Sequence, residues 1–193
     1  MKDKNTIVIV SGLPRTGTSM MMQMLKAGGM SIVTDHIKQP DEDNPRGYYE
    51  YEKVKDIRTD NSWLKNCHGK AVKMVSALLH YLPKDKKYRV IFMLRNMEEM
   101  FESQTAMLQR LGGEEAGISQ EEMCEKLEKH LLTVKDWIAR QKNIQVTYID
   151  YNKVIQNPRR HASLVSQFLK GQVNVEKMST VVDGSLYRKK SKG

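Results

Sequence analysis

The chain has 193 residues, 32 Lys and Arg against 23 Asp and Glu, a net charge of +9 and 7% aromatic residues. We expect a single domain over residues 1–193, long enough to bury a core without disulfides or a structural metal. Cys67 and Cys124 lack the spacings of zinc sites. No apolar run approaches the ~20 residues of a membrane-spanning helix, so we expect a soluble, cytoplasmic protein without a membrane partner.

The positive charge is scattered along the chain and concentrates only at residues 188–192. A basic protein attracts nucleic acids, membrane surfaces or small polyanions. Because the basic residues form no stripe and few aromatic residues are available to stack on bases, we expect no nucleic-acid partner. We therefore expect the ligand of this basic protein to be a small, highly charged anion.

The amino-terminal half begins with a strand. Residues 6–11 (TIVIVS) form a continuous run of mostly β-branched residues, which is typical of a strand buried on both faces of a parallel sheet. A glycine-containing turn follows. The pattern then predicts, in chain order, a helix over residues 18–27, a strand over 31–34, a loop over 35–47 and a helix over 49–60.

The second half continues the alternation of strands and helices. Ser119 and Glu122 form a capping-box pattern at the start of one helix, and Asn96 is a good N-cap for another. The predicted elements are strands over residues 71–75, 88–94 and 145–149, and helices over 77–81, 97–111, 119–141 and 158–169. This order predicts an α/β three-layer sandwich with a central, mostly parallel five-stranded sheet.

The turn after the first strand reads Gly12-Leu13-Pro14-Arg15-Thr16-Gly17-Thr18-Ser19. Such a loop, with a helix N-terminus behind it, directs backbone N–H groups at an anion. Relative to the nucleotide-binding pattern G-x-x-x-x-G-K-[ST], Thr18 stands where the lysine would reach the phosphates of a triphosphate. The fold is therefore predicted to contain a P-loop whose ligand is a phosphate compound other than ATP, with Arg15 contributing from inside the loop.

This loop resembles the 5′-phosphosulfate loop of the sulfotransferase family, which uses 3′-phosphoadenosine 5′-phosphosulfate (PAPS) as the sulfuryl donor. The family also has an arginine at the end of a buried strand and a serine eight residues later, which hold the 3′-phosphate of the donor. Arg95 and Ser103 match this pair, and the resemblance extends from about residue 6 to residue 170. It implies that the residues binding the donor are Pro14, Arg15, Thr16, Gly17, Thr18, Ser19, Arg95 and Ser103.

The resemblance implies a PAPS-dependent sulfotransferase that needs no metal and acts on a hydroxyl or amine of a small molecule or glycan. Arg15 and Lys73 are the expected stabilisers of the leaving 5′-phosphate. Many members carry Lys-Thr-His on the third strand, whereas this chain keeps Lys73 and lacks the histidine. We expect Glu50 to be the general base, on a loop that forms the acceptor wall, with Asp35 and His36 as alternatives.

Two other functions remain open. One is a small-molecule kinase with a degenerate P-loop, for which Asp150 after the last strand would serve as a magnesium ligand rather than as a cap of the next turn. The other is a non-catalytic nucleotide-binding module that has lost its base. The sequence specifies neither the acceptor nor the oligomeric state.

Overall fold

The structure, a computed structural model, describes residues 5–41, 44–110 and 119–183. It contains a five-stranded parallel sheet in the order β2-β3-β1-β4-β5. The strands are β1 (Thr6–Gly12), β2 (Ile32–Val33), β3 (Ala71–Val75), β4 (Lys87–Leu94) and β5 (Ile144–Asp150). The predicted α/β fold with a central parallel sheet is confirmed, and every predicted strand is present.

The helices flank this sheet. They are α1 (Thr18–Ala27), α2 (Met97–Arg110), α3 (Gln120–Ala139), α4 (Tyr151–Gln156), α5 (Pro158–Phe168) and α6 (Val175–Ser179). Ser119 forms the predicted capping box with Glu122. The predicted short helix before Pro83 is a 3₁₀ helix, Ser76–Tyr81. Sequence analysis missed α4 and α6, which are only five or six residues long and too short to show a helical period.

The core lies in two layers, one on each face of the sheet. Because side chains alternate along a strand, β1 contributes Ile7 and Ile9 to one layer and Val8 and Val10 to the other. The first layer includes Val134 and Ile138 of α3. The second includes residues of α1, α5 and α6. Both faces of β1 are apolar because the sheet is covered by helices on both sides.

The predicted helix over residues 49–60 is wrong. The segment is irregular around one 3₁₀ turn, Glu52–Val54, and Tyr49 has a positive φ of 53°. The buried apolar side chains here, Val54 and Ile57, are spaced by three residues, which matches the 3₁₀ period better than the 3.6 of an α-helix. The side chain of Asp35 also accepts a hydrogen bond from the amide of Glu52 and fixes the chain in this path.

The loop between β1 and α1 lies at the carboxyl end of the central strand. Gly12 there pairs in register with Val75 on one side and Met93 on the other, so the ends of β1, β3 and β4 meet at one edge of the sheet. Ligands of open parallel sheets bind in the crevice at this edge. The fold therefore brings the predicted phosphate loop, Lys73 of β3 and Arg95 after β4 to one place.

Gly17 provides a test of how this loop is packed. Its φ is 86°, and an added Cβ would lie 2.3 Å from Cδ2 of Tyr151. At Gly29 φ is 92°, but an added Cβ would meet nothing within 4 Å. We expect Gly29→Ala to cost about 1–2 kcal/mol from backbone strain alone. Gly17→Ala should cost a further ~1–3 kcal/mol from overpacking against the ring.

Urea unfolding of the two variants measures these costs, and their difference isolates the contact with Tyr151. Equal costs for Gly17→Ala and Gly29→Ala would show that the ring does not pack on the loop.

Candidate active site

The phosphate loop has an unusual backbone. Three of its residues, Gly12, Arg15 and Gly17, have positive φ values of 153°, 66° and 86°. The side chain of Thr16 is buried and donates a hydrogen bond of 2.7 Å to the carbonyl of Leu13, which closes the loop from beneath. An αL residue next to helical geometry turns successive N–H groups toward one side, the arrangement that binds anions.

Arg15 joins the phosphate loop to Arg95, the residue after β4, and to Ser103 of α2. Nη1 of Arg95 donates to the main-chain carbonyl of Arg15 at 3.1 Å. Nε of Arg15 donates to Oγ of Ser103 at 3.0 Å. Arg95 also lies 3.4 Å from the buried carboxylate of Glu99 and 4.6 Å from the ring centroid of Tyr151. The two residues predicted to hold a 3′-phosphate thus meet at the residue predicted to hold the 5′-phosphate.

Lys73 and Glu50 form an ion pair within the cavity. Nζ of Lys73 lies 3.1 Å from Oε1 of Glu50 and 3.3 Å from Oγ of Ser19. The side chain of Lys73 is 11% exposed and that of Glu50 is 34% exposed. Burial lowers the pKa of Lys73 below its ordinary value, and the nearby carboxylate of Glu50 opposes that shift. An ammonium and a carboxylate from separate segments therefore meet beside the phosphate loop.

The wall of the cavity beside this ion pair is built around Tyr48, whose ring centre lies 5.7 Å from Nζ of Lys73. Its main-chain carbonyl accepts a hydrogen bond from Ser19, and its hydroxyl donates to the carboxylate of Asp41 at 2.7 Å. Nζ of Lys38 lies 3.7 Å from the centre of its ring. Burial, and after it the hydrogen bond that the hydroxyl donates to Asp41, raises the pKa of Tyr48 above its ordinary range. Tyr48 is therefore a neutral, fixed wall of the cavity.

Asp35 and His36, the two alternative candidates for the general base, lie outside the cavity. The carboxylate of Asp35 accepts hydrogen bonds from the amides of Ile37 and Glu52, at 3.1 and 2.6 Å, so it stabilises a turn. Burial is the largest single effect on the pKa of Asp35 and raises it. The hydrogen bonds together outweigh burial, so the pKa lies below its ordinary value. His36 is exposed, and neither Asp35 nor His36 lines the cavity. Of the three candidates, the structure brings only Glu50 to the phosphate loop.

The segment after α6 closes one side of the cavity. Arg46 donates to the carbonyl of Val181 and, at 2.8 Å, to the carboxylate of Asp183. Arg46, Val181 and Asp183 all line the cavity. This contact joins the loop that carries Arg46 to the segment after α6. The basic tail at residues 188–192 lies outside the described residues.

The cavity has a volume of about 370 Å³, within the range of small-molecule sites. Thr16 lies beneath the loop, and Ser103 reaches the cavity through Arg15. The other predicted site residues line it directly: Pro14, Arg15, Gly17, Thr18, Ser19, Glu50, Lys73 and Arg95.

Asp150 caps α4. Its carboxylate accepts a hydrogen bond from the amide of Lys153 at 3.0 Å, and it does not line this cavity. Within the described residues, no group of three or more His, Cys, Asp or Glu side chains is placed to hold a metal ion. Across the same residues, no helix is both long enough and apolar enough to cross a lipid bilayer.

Sequence analysis missed several residues of the cavity. Tyr48, Arg46 and Asp183 belong to no local motif, and Arg46 meets a carboxylate 137 residues away. Gln104, next to Ser103 on α2, also lines the cavity. Gln104 gave no usable signal either, because consecutive residues of a helix do not share a face.

A parallel sheet with a glycine-containing anion loop at the end of its central strand defines a P-loop-type α/β protein. The chain belongs to the sulfotransferase domain family, whose model matches residues 5–193. No match was found among curated protein sequences.

Solved structures share this fold at low sequence identity. Mouse sulfotransferase SULT7A1 complexed with PAP aligns with a TM-score of 0.55 and 15% identity over 98% of this chain and 68% of its own. The sulfotransferase domain of the Synechococcus PCC 7002 olefin synthase aligns with a TM-score of 0.51 and 14% identity, over 98% of this chain and 85% of its own. A sulfotransferase from Alicyclobacillus acidocaldarius aligns with a TM-score of 0.50 and 16% identity, over 89% of this chain and 82% of its own. These likenesses establish the fold.

The ion pair makes a prediction about Lys73. Replacing Glu50 by Gln removes the charge that supports the ammonium and leaves the burial that opposes it. The pKa of Lys73 should therefore fall further below its ordinary value in Glu50→Gln. An NMR titration of isotopically labelled lysine side chains measures this pKa.

The matched control is Glu52→Gln, which removes a carboxylate from the same segment. Glu52 pairs with Lys55 at 2.6 Å, so its loss should leave Lys73 unchanged. A pKa of Lys73 that is the same in Glu50→Gln and in the wild type would show that the ion pair does not form in solution.

Proposed function

We propose that the protein transfers a sulfuryl group from PAPS to a hydroxyl or amine of a small-molecule or glycan acceptor. The observation that carries the proposal is the convergence of the phosphate loop, Arg15, Arg95 and the Lys73–Glu50 pair on one cavity. Family membership supports the reaction class. The solved structure of mouse SULT7A1 is a complex with PAP, the product that PAPS leaves behind.

The residues present fit a doubly phosphorylated nucleotide. The amides of the loop, the side chain of Arg15 and Nζ of Lys73 would bind the 5′-phosphate and the charge that develops on it as the sulfuryl group departs. Arg95 and Ser103, which meet at Arg15, would bind the 3′-phosphate. Each of these groups is a hydrogen-bond donor, as an anion requires.

Glu50 would act as the general base. In the transfer, the acceptor oxygen or nitrogen forms a bond to sulfur, the bond between sulfur and the bridging phosphate oxygen breaks, and the acceptor proton moves to Glu50. The carboxylate lines the cavity near Ser19, on the side formed by the acceptor loop. The protein's main contributions are alignment of the two substrates and stabilisation of the leaving charge.

The donor site is tested by nucleotide binding. We expect adenosine 3′,5′-bisphosphate to bind without magnesium and ATP to bind weakly, because the loop offers amides and arginine but has Thr18 in place of the P-loop lysine. Isothermal titration calorimetry with both nucleotides, each with and without magnesium, measures the difference. Magnesium-dependent binding of ATP that equals or exceeds that of the bisphosphate would indicate a kinase instead.

The general base is tested by Glu50→Gln. Turnover should fall by roughly 10²–10⁴-fold, the usual contribution of a positioned base. The affinity for adenosine 3′,5′-bisphosphate should not fall, because Glu50 does not contact the donor and its loss leaves Lys73 free to do so. Transfer from PAPS to a panel of hydroxyl and amine acceptors, run with wild-type protein first, gives the rate.

Glu52→Gln again serves as the matched control and should retain full turnover. Full activity in Glu50→Gln would reject Glu50 as the base. A wild-type protein that binds the bisphosphate but transfers to none of a broad panel of acceptors would support a non-catalytic nucleotide-binding module.

A further inference from the structure

Glu99 is a buried carboxylate behind one of the arginines of the cavity. It lies four residues after Arg95, in the first turn of α2, and its side chain is 2% exposed. Oε2 of Glu99 accepts a hydrogen bond from Nε of Arg95 at 3.4 Å. Both carboxylate oxygens also accept from Nδ2 of Asn152 on α4, at 3.0 and 3.1 Å. Two elements of the fold therefore hold a negative charge next to a cavity that suits an anion.

Charge alone does not account for a carboxylate at this position. A negative charge beside Arg95 weakens the attraction of the arginine for a phosphate, and burying an ion is costly unless it is paired and hydrogen-bonded. Arg95 lines the cavity, whereas Glu99 does not. The contribution that a carboxylate can make from behind an arginine is to fix the direction in which the arginine donates.

The guanidinium of Arg95 is held both on its face and along its edge. Its Cζ atom lies 4.6 Å from the ring centroid of Tyr151. Along the edge, Nη1 donates to the carbonyl of Arg15 at 3.1 Å, and Nε donates to Glu99. Because a guanidinium is a rigid planar fork, fixing its plane and part of its edge fixes the direction of all its donors.

We propose that Glu99 is a positioning residue that, together with Asn152, orients Arg95 toward a phosphate on the 3′ position of the ribose. The inference rests on the proposed function, which assigns the 3′-phosphate to Arg95. It also gives a role to α4, since Asn152 holds the arginine through Glu99 while Tyr151 packs on the guanidinium face. The protein then selects a 3′-phosphate by the direction of its donors rather than by their charge.

Two ligands of equal charge, adenosine 3′,5′-bisphosphate and adenosine 2′,5′-bisphosphate, separate direction from charge. Wild-type protein should bind the 3′,5′ isomer about 10- to 150-fold more tightly, the usual contribution of a hydrogen bond to a charged group. In Glu99→Gln this ratio should fall by about 2- to 12-fold, the net contribution of one ordinary hydrogen bond, because the new NH₂ group faces donors on Arg95 and Asn152. Calorimetry with both isomers on the same sample gives the ratio, from which incomplete folding of the variant cancels.

Asn152→Ala tests the same arrangement from α4. It keeps the carboxylate but removes two of its hydrogen bonds, so the ratio should fall in the same direction. In the double variant the ratio should fall by less than the product of the two single effects, because the amide acts through the carboxylate. Where Glu99→Gln does not fold, an unchanged ratio in Asn152→Ala overturns the inference.

Glu98→Gln is the matched control. It removes a carboxylate from the neighbouring position of the same helical turn, where the side chain is exposed and does not line the cavity. The ratio of the two affinities should equal that of the wild type.

Three results would overturn the inference while leaving the proposed function intact. The first is equal binding of the two isomers by wild-type protein. The second is tighter binding of both isomers by Glu99→Gln at an unchanged or higher ratio, which would mean that the carboxylate only offsets positive charge. The third is an equal weakening of both isomers in that variant, which would mean that Glu99 only stabilises the fold. Failure of wild-type protein to bind either isomer would overturn both proposals.

Discussion

The left-handed conformation of Arg15 is the constraint on which the site depends. A non-glycine residue in this conformation costs about 1–2 kcal/mol relative to ordinary backbone. The structure holds it from both ends, because Arg95 binds its carbonyl and Ser103 accepts from its side chain. These contacts tie the loop to the residue after β4 and to α2, so the backbone amides of the loop are positioned before any ligand arrives. Preorganised donors of this kind are the ones that stabilise developing charge well.

The same cavity concentrates positive charge, and the fold balances it with carboxylates from two directions. Glu99, 2% exposed, lies beside Arg95 and accepts hydrogen bonds from Asn152. Glu50 lies beside Lys73. The two carboxylates differ in their access to ligand, because Glu99 is buried behind its arginine while Glu50 lines the cavity. A buried carboxylate can orient a cation but cannot exchange protons with a substrate, which favours Glu50 over Glu99 for the acid–base role.

The sequence predicts those features of the fold and site that depend on interactions between residues near one another in the chain. It does not predict those that depend on contacts between distant segments. The strands, α1 and the capped start of α3 follow from local patterns, and the order of parallel strands implies that the phosphate loop, Lys73 and Arg95 converge at one edge. The pairing of Glu50 with Lys73 and of Arg46 with Asp183 joins segments whose relative placement no local pattern encodes. The predicted helix over residues 49–60 was wrong because a tertiary contact, from Asp35 to the amide of Glu52, decides the path of that segment.

Lys73 brings an ammonium group to the phosphate loop, in which Thr18 stands where a P-loop lysine would be. In register with Val10 of β1, Lys73 projects from the neighbouring strand and reaches Ser19 at the start of α1. A P-loop lysine would belong to the loop alone, whereas Lys73 also contacts Glu50, on the loop that the proposed function assigns to the acceptor. Under the proposed function, protonation of Glu50 by the acceptor would weaken its attraction for Lys73. The ammonium would then be released toward the leaving phosphate at the stage when charge develops there, so one ion pair would couple the acceptor side of the reaction to the donor side.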